Sequence, residues 1–181
     1  AVLVICIVLG GIFATAYQTS AIFYDRVTHT VNSVKNFDPN NSDNALGIRF
    51  VMVMNSMEII MKNPLIGVGT GDFPSEYKKI NQKNTPNMPQ SQNPHNMYIL
   101  VLTQLGILGL ISFLAIFYYQ IKISFLSQDK FIRDVGITLP LLFLIIMWSD
   151  TYLMGHFTSL LYIFFSSFLY KDFTKHKHHD L

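Results

Sequence analysis

Long uncharged apolar runs alternate with polar, punctuated segments along this chain. Residues 1–17, AVLVICIVLGGIFATAY, carry no charge. A spanning helix needs roughly 20 apolar residues, so the run reads as a transmembrane helix cut short. Gly10 and Gly11 cost little in a bilayer and permit close helix contact. Residues 18–44 are polar, with Asp25, Arg26, Lys35 and Asp38-Pro39 ahead of Asn40, Asn41, Ser42, Asp43 and Asn44. They read as a loop with room for a short helix near 20–35. The closing Asn/Ser/Asp cluster is N-cap chemistry for the next helix.

Residues 45–62 read as that helix. Glu58 and Lys62 stand i,i+4 in the favourable order, and Arg49, Val53, Ser56 and Ile60 share a face. Its internal charges argue for a helix lying at a membrane interface rather than across it. Asn63-Pro64 ends it, because the residue before proline avoids the α region. Residues 64–96 show no clear period between Gly67, Gly69, Gly71, Pro74, Pro86, Pro89 and Pro94, and such a long irregular segment is usually functional or disordered.

Residues 97–119 form the clearest span, free of charge, with Asn96 placed to accept from Tyr98 or Ile99 N–H as its N-cap. Thr103, Gly106, Gly109, Ser112 and Ala115 are small residues every third position. Such residues let helices approach in lipid, although the row drifts by about 60° per step. Residues 136–170 are again apolar, interrupted by Trp148, Ser149, Asp150, Gly155 and His156. Their length of about 50 Å as one helix is too great for a core of about 30 Å. The expectation is a hairpin of two short helices with a turn near 149–156.

Charge sets the orientation. Lys and Arg in short loops favour the cytoplasm. Lys122, Lys130 and Arg133 place 120–135 inside, and Lys171, Lys175 and Lys177 do the same for the tail, 171–181. Two crossings between them satisfy both, and the polar loop 18–96 then lies outside. The predicted fold is an all-α polytopic membrane protein. It has about four transmembrane helices and one long outer loop that holds an amphipathic helix.

Composition agrees. Half of the 181 residues are hydrophobic, 13% are charged and the mean hydropathy is +0.33, too apolar for an ordinary soluble domain. A net charge of +2 is too small to point to nucleic acid. Cys6 stands alone, so no intrachain disulfide is possible. No CxxC or HExxH pattern marks a metal site. The chain opens at Ala1 inside an apolar run, with no basic region of the signal-peptide kind. It reads as the C-terminal part of a longer membrane protein, whose active site other residues can share.

His95 is the sharpest candidate for chemistry. It precedes an N-cap, where the helix field favours neutral imidazole, the proton-accepting form, and attracts anions such as phosphates. The plainer alternative is a loop histidine facing water or bonded to a carbonyl. Arg49 offers a permanent charge with paired N–H donors for phosphate, or else a snorkelling anchor. Gly67, Gly69 and Gly71 lack the GxGxxG spacing of a dinucleotide loop and have no preceding strand; a sharp turn with positive φ is the simpler role. Asp72 reads as a cap for the next turn. Lys78 and Lys79 read as solvated surface. Asp150 and His156 fall in the outer turn of the last helical pair, away from the expected chemistry.

Two blocks together resemble the O-antigen ligase and polymerase superfamily of bacterial envelope glycan enzymes. Arg49 followed by Asn63-Pro64-Leu65-Ile66-Gly67-Val68-Gly69-Thr70-Gly71 is similar to the family's Arg-to-NPLxGxG block. Pro94-His95-Asn96-Met97-Tyr98-Ile99-Leu100, with Gln104, Gly106, Gly109 and Leu110 behind it, is similar to the HNxYL block. The match spans about 45–110. Two positions depart: the family's Trp four places after the arginine is Val53 here, and its second histidine two places before the HN pair is Asn93.

The resemblance implies a polytopic inner-membrane glycosyltransferase of the GT-C type. It would move a glycan from an undecaprenyl-diphosphate carrier to an acceptor hydroxyl at the periplasmic face. An O-antigen ligase acting on lipid A-core is preferred to a polymerase joining repeat units. No metal, nucleotide or other cofactor is implied, and the partners are the lipid-linked donor, the lipid A-core acceptor and membrane lipid. Arg49 and His95 take the catalytic roles, stabilising the leaving diphosphate and deprotonating the hydroxyl. Gly67, Gly69, Gly71, Asn96 and Tyr98 are placed around the substrate with them. A further family arginine is expected upstream, so this stretch alone is expected to be inactive. A transporter is the rival from another class. Transporters place polar groups at mid-membrane, whereas 97–119 offers only Thr103 and Gln104 as strongly polar interruptions.

Overall fold

The computed structural model describes residues 2–41 and 44–170. Its helices are α1 Val2–Thr19, α2 Ala21–Lys35, α3 Ala45–Lys62, α4 Phe73–Asn84, α5 Met97–Phe125, α6 Lys130–Ile146 and α7 His156–Leu169, with a single 3-10 turn at Tyr152–Met154. The described residues contain no strand, so the all-α class stands. The tail 171–181 lies outside the described residues.

α1 and α2 meet at an angle of 103°. The Ser20 hydroxyl at the corner accepts from Phe23 N–H at 3.3 Å and caps α2. Aromatic rings fill the inside of the bend, Phe13 against Phe23 at 5.2 Å and Tyr17 against Tyr24 at 4.9 Å between centroids.

α3 starts at Asn44, whose side-chain oxygen accepts from Gly47 N–H at 2.8 Å, and stops at Asn63, before Pro64. It buries Val51, Met52, Asn55, Ser56, Ile59 and Ile60. Asn55 is held by buried partners on α4 and just past its end: its amide donates to Asn81 Oδ1 at 3.2 Å and to Thr85 Oγ1 at 2.8 Å. Asn81 in turn donates to Met88 O at 3.0 Å. Buried amides demand partners, and this closed set binds the loop after α4 to α3.

α4 corrects the expectation of an irregular 64–96. Phe73, Tyr77, Ile80 and Asn81 form its buried face, a helical period hidden by its short length and by Pro74. Proline in the first turn starts a helix rather than breaking one. Asp72 occupies the N-cap position but makes no capping bond with its side chain, contrary to the role expected for it.

α5 is not the single straight span expected over 97–119. Gly106 has φ 64° and ψ −166°. The rings of Tyr98 and Phe113 lie 6.5 Å apart, although a straight helix would separate those residues by about 22 Å along its axis. The helix therefore turns sharply at Gly106, and 107–125 is left as an unbroken rod of about 28 Å, uncharged as far as Lys122.

The break would free two N–H groups and two carbonyls, and the turn after α3 satisfies all four. Ile107 N–H donates to Pro64 O at 2.9 Å and Leu108 N–H to Leu65 O at 3.3 Å, while Val68 N–H donates to Thr103 O at 3.0 Å and Gly69 N–H to Gln104 O at 2.9 Å. The two backbones touch. A Cβ on Gly67 would lie 2.3 Å from the Gln104 carbonyl carbon, and one on Gly106 would lie 2.3 Å from that of Leu65.

Residues 136–170 contain the rest of α6, a turn and α7. Asp129 caps α6, accepting from Phe131 N–H at 2.8 Å and Ile132 N–H at 3.1 Å. Phe143 of α6, Phe117 of α5 and Tyr162 of α7 form one aromatic cluster, with centroids 4.6 Å and 5.6 Å from Tyr162. Among the described residues one helix, α5 taken across its break at Gly106, is long and apolar enough to cross a membrane; counting the bent α1–α2 pair as one span gives two. That count leaves out α6 and α7, which at 17 and 14 residues lie at and below the short end of the range of about 17–25 residues for a spanning helix.

Candidate functional site

The end of α6 and the start of α5 meet where each has unsatisfied backbone groups. A helix leaves its last carbonyls free, and residues 96–98 bring donors to them. Met97 N–H donates to Met147 O at 3.0 Å, the Asn96 amide donates to Trp148 O at 2.9 Å, and the Tyr98 hydroxyl donates to Leu144 O. Asn96 also uses its oxygen, accepting from Ile99 N–H at 3.0 Å as the cap of α5. Asn96 is therefore cap and stitch at once, and is buried.

His95 sits on this seam with φ 49°, the one non-glycine with positive φ among the described residues. Such backbone is costly unless its surroundings hold it. Here Asn93 Oδ1 accepts from His95 N–H at 2.9 Å, and Pro94 beside it is fully buried. The strained turn aims the imidazole at the loop after α6, where Nδ1 lies 3.1 Å from Asp150 Oδ1. An ionised carboxylate only accepts, so the Nδ1 proton bridges the pair. In the neutral ring Nε2 is then the nitrogen with the open lone pair.

Asp150 is held in turn. Thr151 N–H donates to the same Oδ1 at 2.7 Å. Partial burial alone would raise the Asp150 pKa; the Thr151 N–H, the His95 hydrogen bond and the positive charges of His95 and Arg49 outweigh it and hold the carboxyl below its ordinary value. Both side chains stay open to solvent, His95 at 37% and Asp150 at 38% exposure, so a ligand can reach the pair.

Arg49 projects from the first turns of α3 and is exposed. Its guanidinium makes no ion pair among the described residues, and it lies close enough to Asp150 for its charge to act on that carboxyl. His95 by contact and Arg49 by its charge therefore both act on a third residue, one that sequence reasoning set aside. Asp150 is 55 positions from His95, so no local spacing ties it to the imidazole. The one available signal was an acid in the turn between two apolar helices.

The glycine turn is committed elsewhere. Gly67 N–H donates to Asn63 O at 3.0 Å, and the next two amides serve the break in α5. A phosphate loop needs free N–H groups, and those of 67–69 are spent. Gly67, Gly69 and Gly71 all have positive φ, 69°, 113° and 86°, the property that the sharp-turn role requires. Tyr98 and Asn96 likewise hold protein rather than an open space. Lys79 pairs with Glu76 at 2.5 Å. Lys78 and His156 are exposed. Among the described residues no three His, Cys, Asp or Glu side chains gather in a way that could hold a metal ion.

No curated protein matches the chain. A family model described as O-antigen ligase matches residues 1–114. That range holds Arg49, both glycines of the joint at Gly67 and Gly106, and His95; it stops before Asp150. With well over half its length matched, the chain belongs to the O-antigen ligase family, and so among the membrane glycosyltransferase-like ligases of lipopolysaccharide biosynthesis.

Proposed function

We propose that the protein transfers a glycan from an undecaprenyl-diphosphate carrier to a hydroxyl of lipid A-core at the periplasmic face of the inner membrane. The observation that supports this reading is the 3.1 Å contact between His95 Nδ1 and Asp150 Oδ1, which leaves Nε2 as the proton-accepting nitrogen, with the charge of Arg49 acting on the same carboxyl. In the transfer, His95 Nε2 takes the proton of the acceptor hydroxyl as its oxygen attacks the anomeric carbon. The bond from that carbon to the diphosphate oxygen breaks, and the diphosphate leaves with the electron pair. Arg49 meets the charge that develops there, the task for which a fixed cation is worth most. Asp150 stabilises the imidazolium that forms, as the carboxylate of a catalytic triad does.

Asn96 and Tyr98 hold the His95 turn from behind, and Gly67, Gly69 and Gly71 shape the turn that joins Arg49's helix to α5. The segment 18–96 faces the periplasm with α3 at the lipid interface. α1, α5 and the α6–α7 hairpin make the crossings, and 120–135 and 171–181 face the cytoplasm. The same arrangement serves a polymerase, and lipopolysaccharide profiles of a deletion strain separate the two. Loss of a ligase leaves core without O-chain and accumulates lipid-linked polymer; loss of a polymerase leaves core with one repeat. His95→Ala in the full-length protein is expected to give the ligase phenotype at normal protein level. Transfer at the normal rate would overturn the reading.

A further inference from the structure

α3 has two apolar faces. One is packed against α4 and α5. On the other, Phe50, whose ring also meets that of Phe37 at 5.7 Å between centroids, and Met54, Met57 and Met61 are exposed at spacings of four, three and four, which place them on one side of the helix. No charge interrupts that side: Arg49 borders it on one edge, and Glu58 and Lys62 on the other. Beyond the helix end the row continues into Leu65 and Ile66, exposed by 63% and 72%. Two adjoining large apolar residues at the tip of a turn are unusual in water.

The backbone explains where the tip lies. Through the four hydrogen bonds at the Gly106 break, residues 64–69 are fastened to one end of the 107–125 rod. Leu108 and Ile111 of that rod are themselves exposed and, in a crossing helix, meet lipid. Irregular backbone is tolerated in hydrocarbon when protein satisfies its polar groups, and the carbonyls of Pro64 and Leu65 and the N–H groups of Gly67, Val68 and Gly69 are satisfied in this way.

We infer that this turn and the exposed stripe of α3 form one membrane-seated surface. Leu65 and Ile66 enter the acyl region at the Gly106 end of α5, and the methionine row lies along the same leaflet. The partner is lipid hydrocarbon. Met suits such a surface because its unbranched, polarisable side chain adapts to disordered chains. The inference deepens the interfacial placement of α3 proposed above and rests on α5 being in the bilayer, not on the transfer reaction.

Spin labels test it in the full-length protein, in a cysteine-free background that includes Cys6→Ser, reconstituted in liposomes. Labels go to Ile66→Cys and Met54→Cys, with Leu108→Cys as the lipid reference and Lys78→Cys as the water reference. The expected result at Ile66 and Met54 is greater collision with oxygen than with a water-soluble nickel chelate, as at Leu108 and opposite to Lys78. Water-like readings at Ile66 with lipid-like readings at Leu108 would overturn this inference alone. Low collision with both probes would also overturn it, by assigning the face to another protein segment. A water-like Leu108 would overturn it together with the membrane placement of α5.

Discussion

Gly67 and Gly106 stand on opposite sides of a contact between two stretches of main chain, each so near the other strand that a methyl group on either would fall 2.3 Å from a carbonyl carbon. Both have positive φ, so an L-residue meets backbone strain and backbone overlap together. Gly106→Ala is expected to cost about 3 kcal/mol or more, read as a lower melting temperature in detergent. Gly67→Ala should behave alike. Gly71 has positive φ but nothing within 4 Å of an added Cβ, so Gly71→Ala should cost only about 1 kcal/mol. Equal losses at all three sites would show that overlap with α5 is not what the first two glycines avoid.

Asp150→Asn keeps shape and removes charge. The amide no longer fixes the proton on His95 Nδ1 or stabilises an imidazolium. Transfer by the full-length protein is expected to fall by on the order of 100-fold or more, while the fold, with both side chains partly open to solvent, changes little in stability. A rate within about twofold of the native protein would remove Asp150 from the site.

Stability should carry the mark of the same carboxyl. Its pKa in the fold lies below the ordinary value, near 3.9 in unfolded chains. The contribution is therefore complete above that value and is lost as pH falls through the depressed value of the folded state. Solvent exposure screens the interaction and keeps it small. The melting-temperature difference between native protein and Asp150→Asn should shrink as pH falls below about pH 4. A difference that grows toward acid pH would give the shift the opposite sign.

Arg49→Ala is expected to lower transfer by on the order of 100-fold or more, the range seen when a group stabilising developing charge is removed. Arg49→Lys should restore part of it, since an ammonium supplies charge without the planar pair of donors. Both variants should stay within about 0.5 kcal/mol of native stability, as substitutions at exposed positions do. A large loss of stability in either would make Arg49 an anchor of α3.

Local chemistry made some of this legible in sequence. Asn44 and Asn63-Pro64 mark the ends of α3 because a cap and a proline act within one turn. His95 stood out for the same reason, lying one residue before a cap. α4 was masked because Pro74 and the glycines before it read as breakers, although proline belongs in a first turn. The break in α5 was hidden by its surroundings: a glycine in an apolar run reads as a small residue for helix packing, and only Pro64 and Leu65, some forty positions earlier, reveal that its neighbours' amides point elsewhere. Asp150 could not be assigned because the fold alone brings it to His95.

The joint at Gly106 is written entirely in main-chain atoms. What it demands of the genetic text is two absent side chains and a proline or other residue able to offer a carbonyl; the letters at 65, 66, 104 and 105 are left free. Relatives can thus repaint the outside of this junction for a different lipid or neighbour while keeping the hinge-pin itself, and a motif search that weights those four letters will overlook chains built on the same joint.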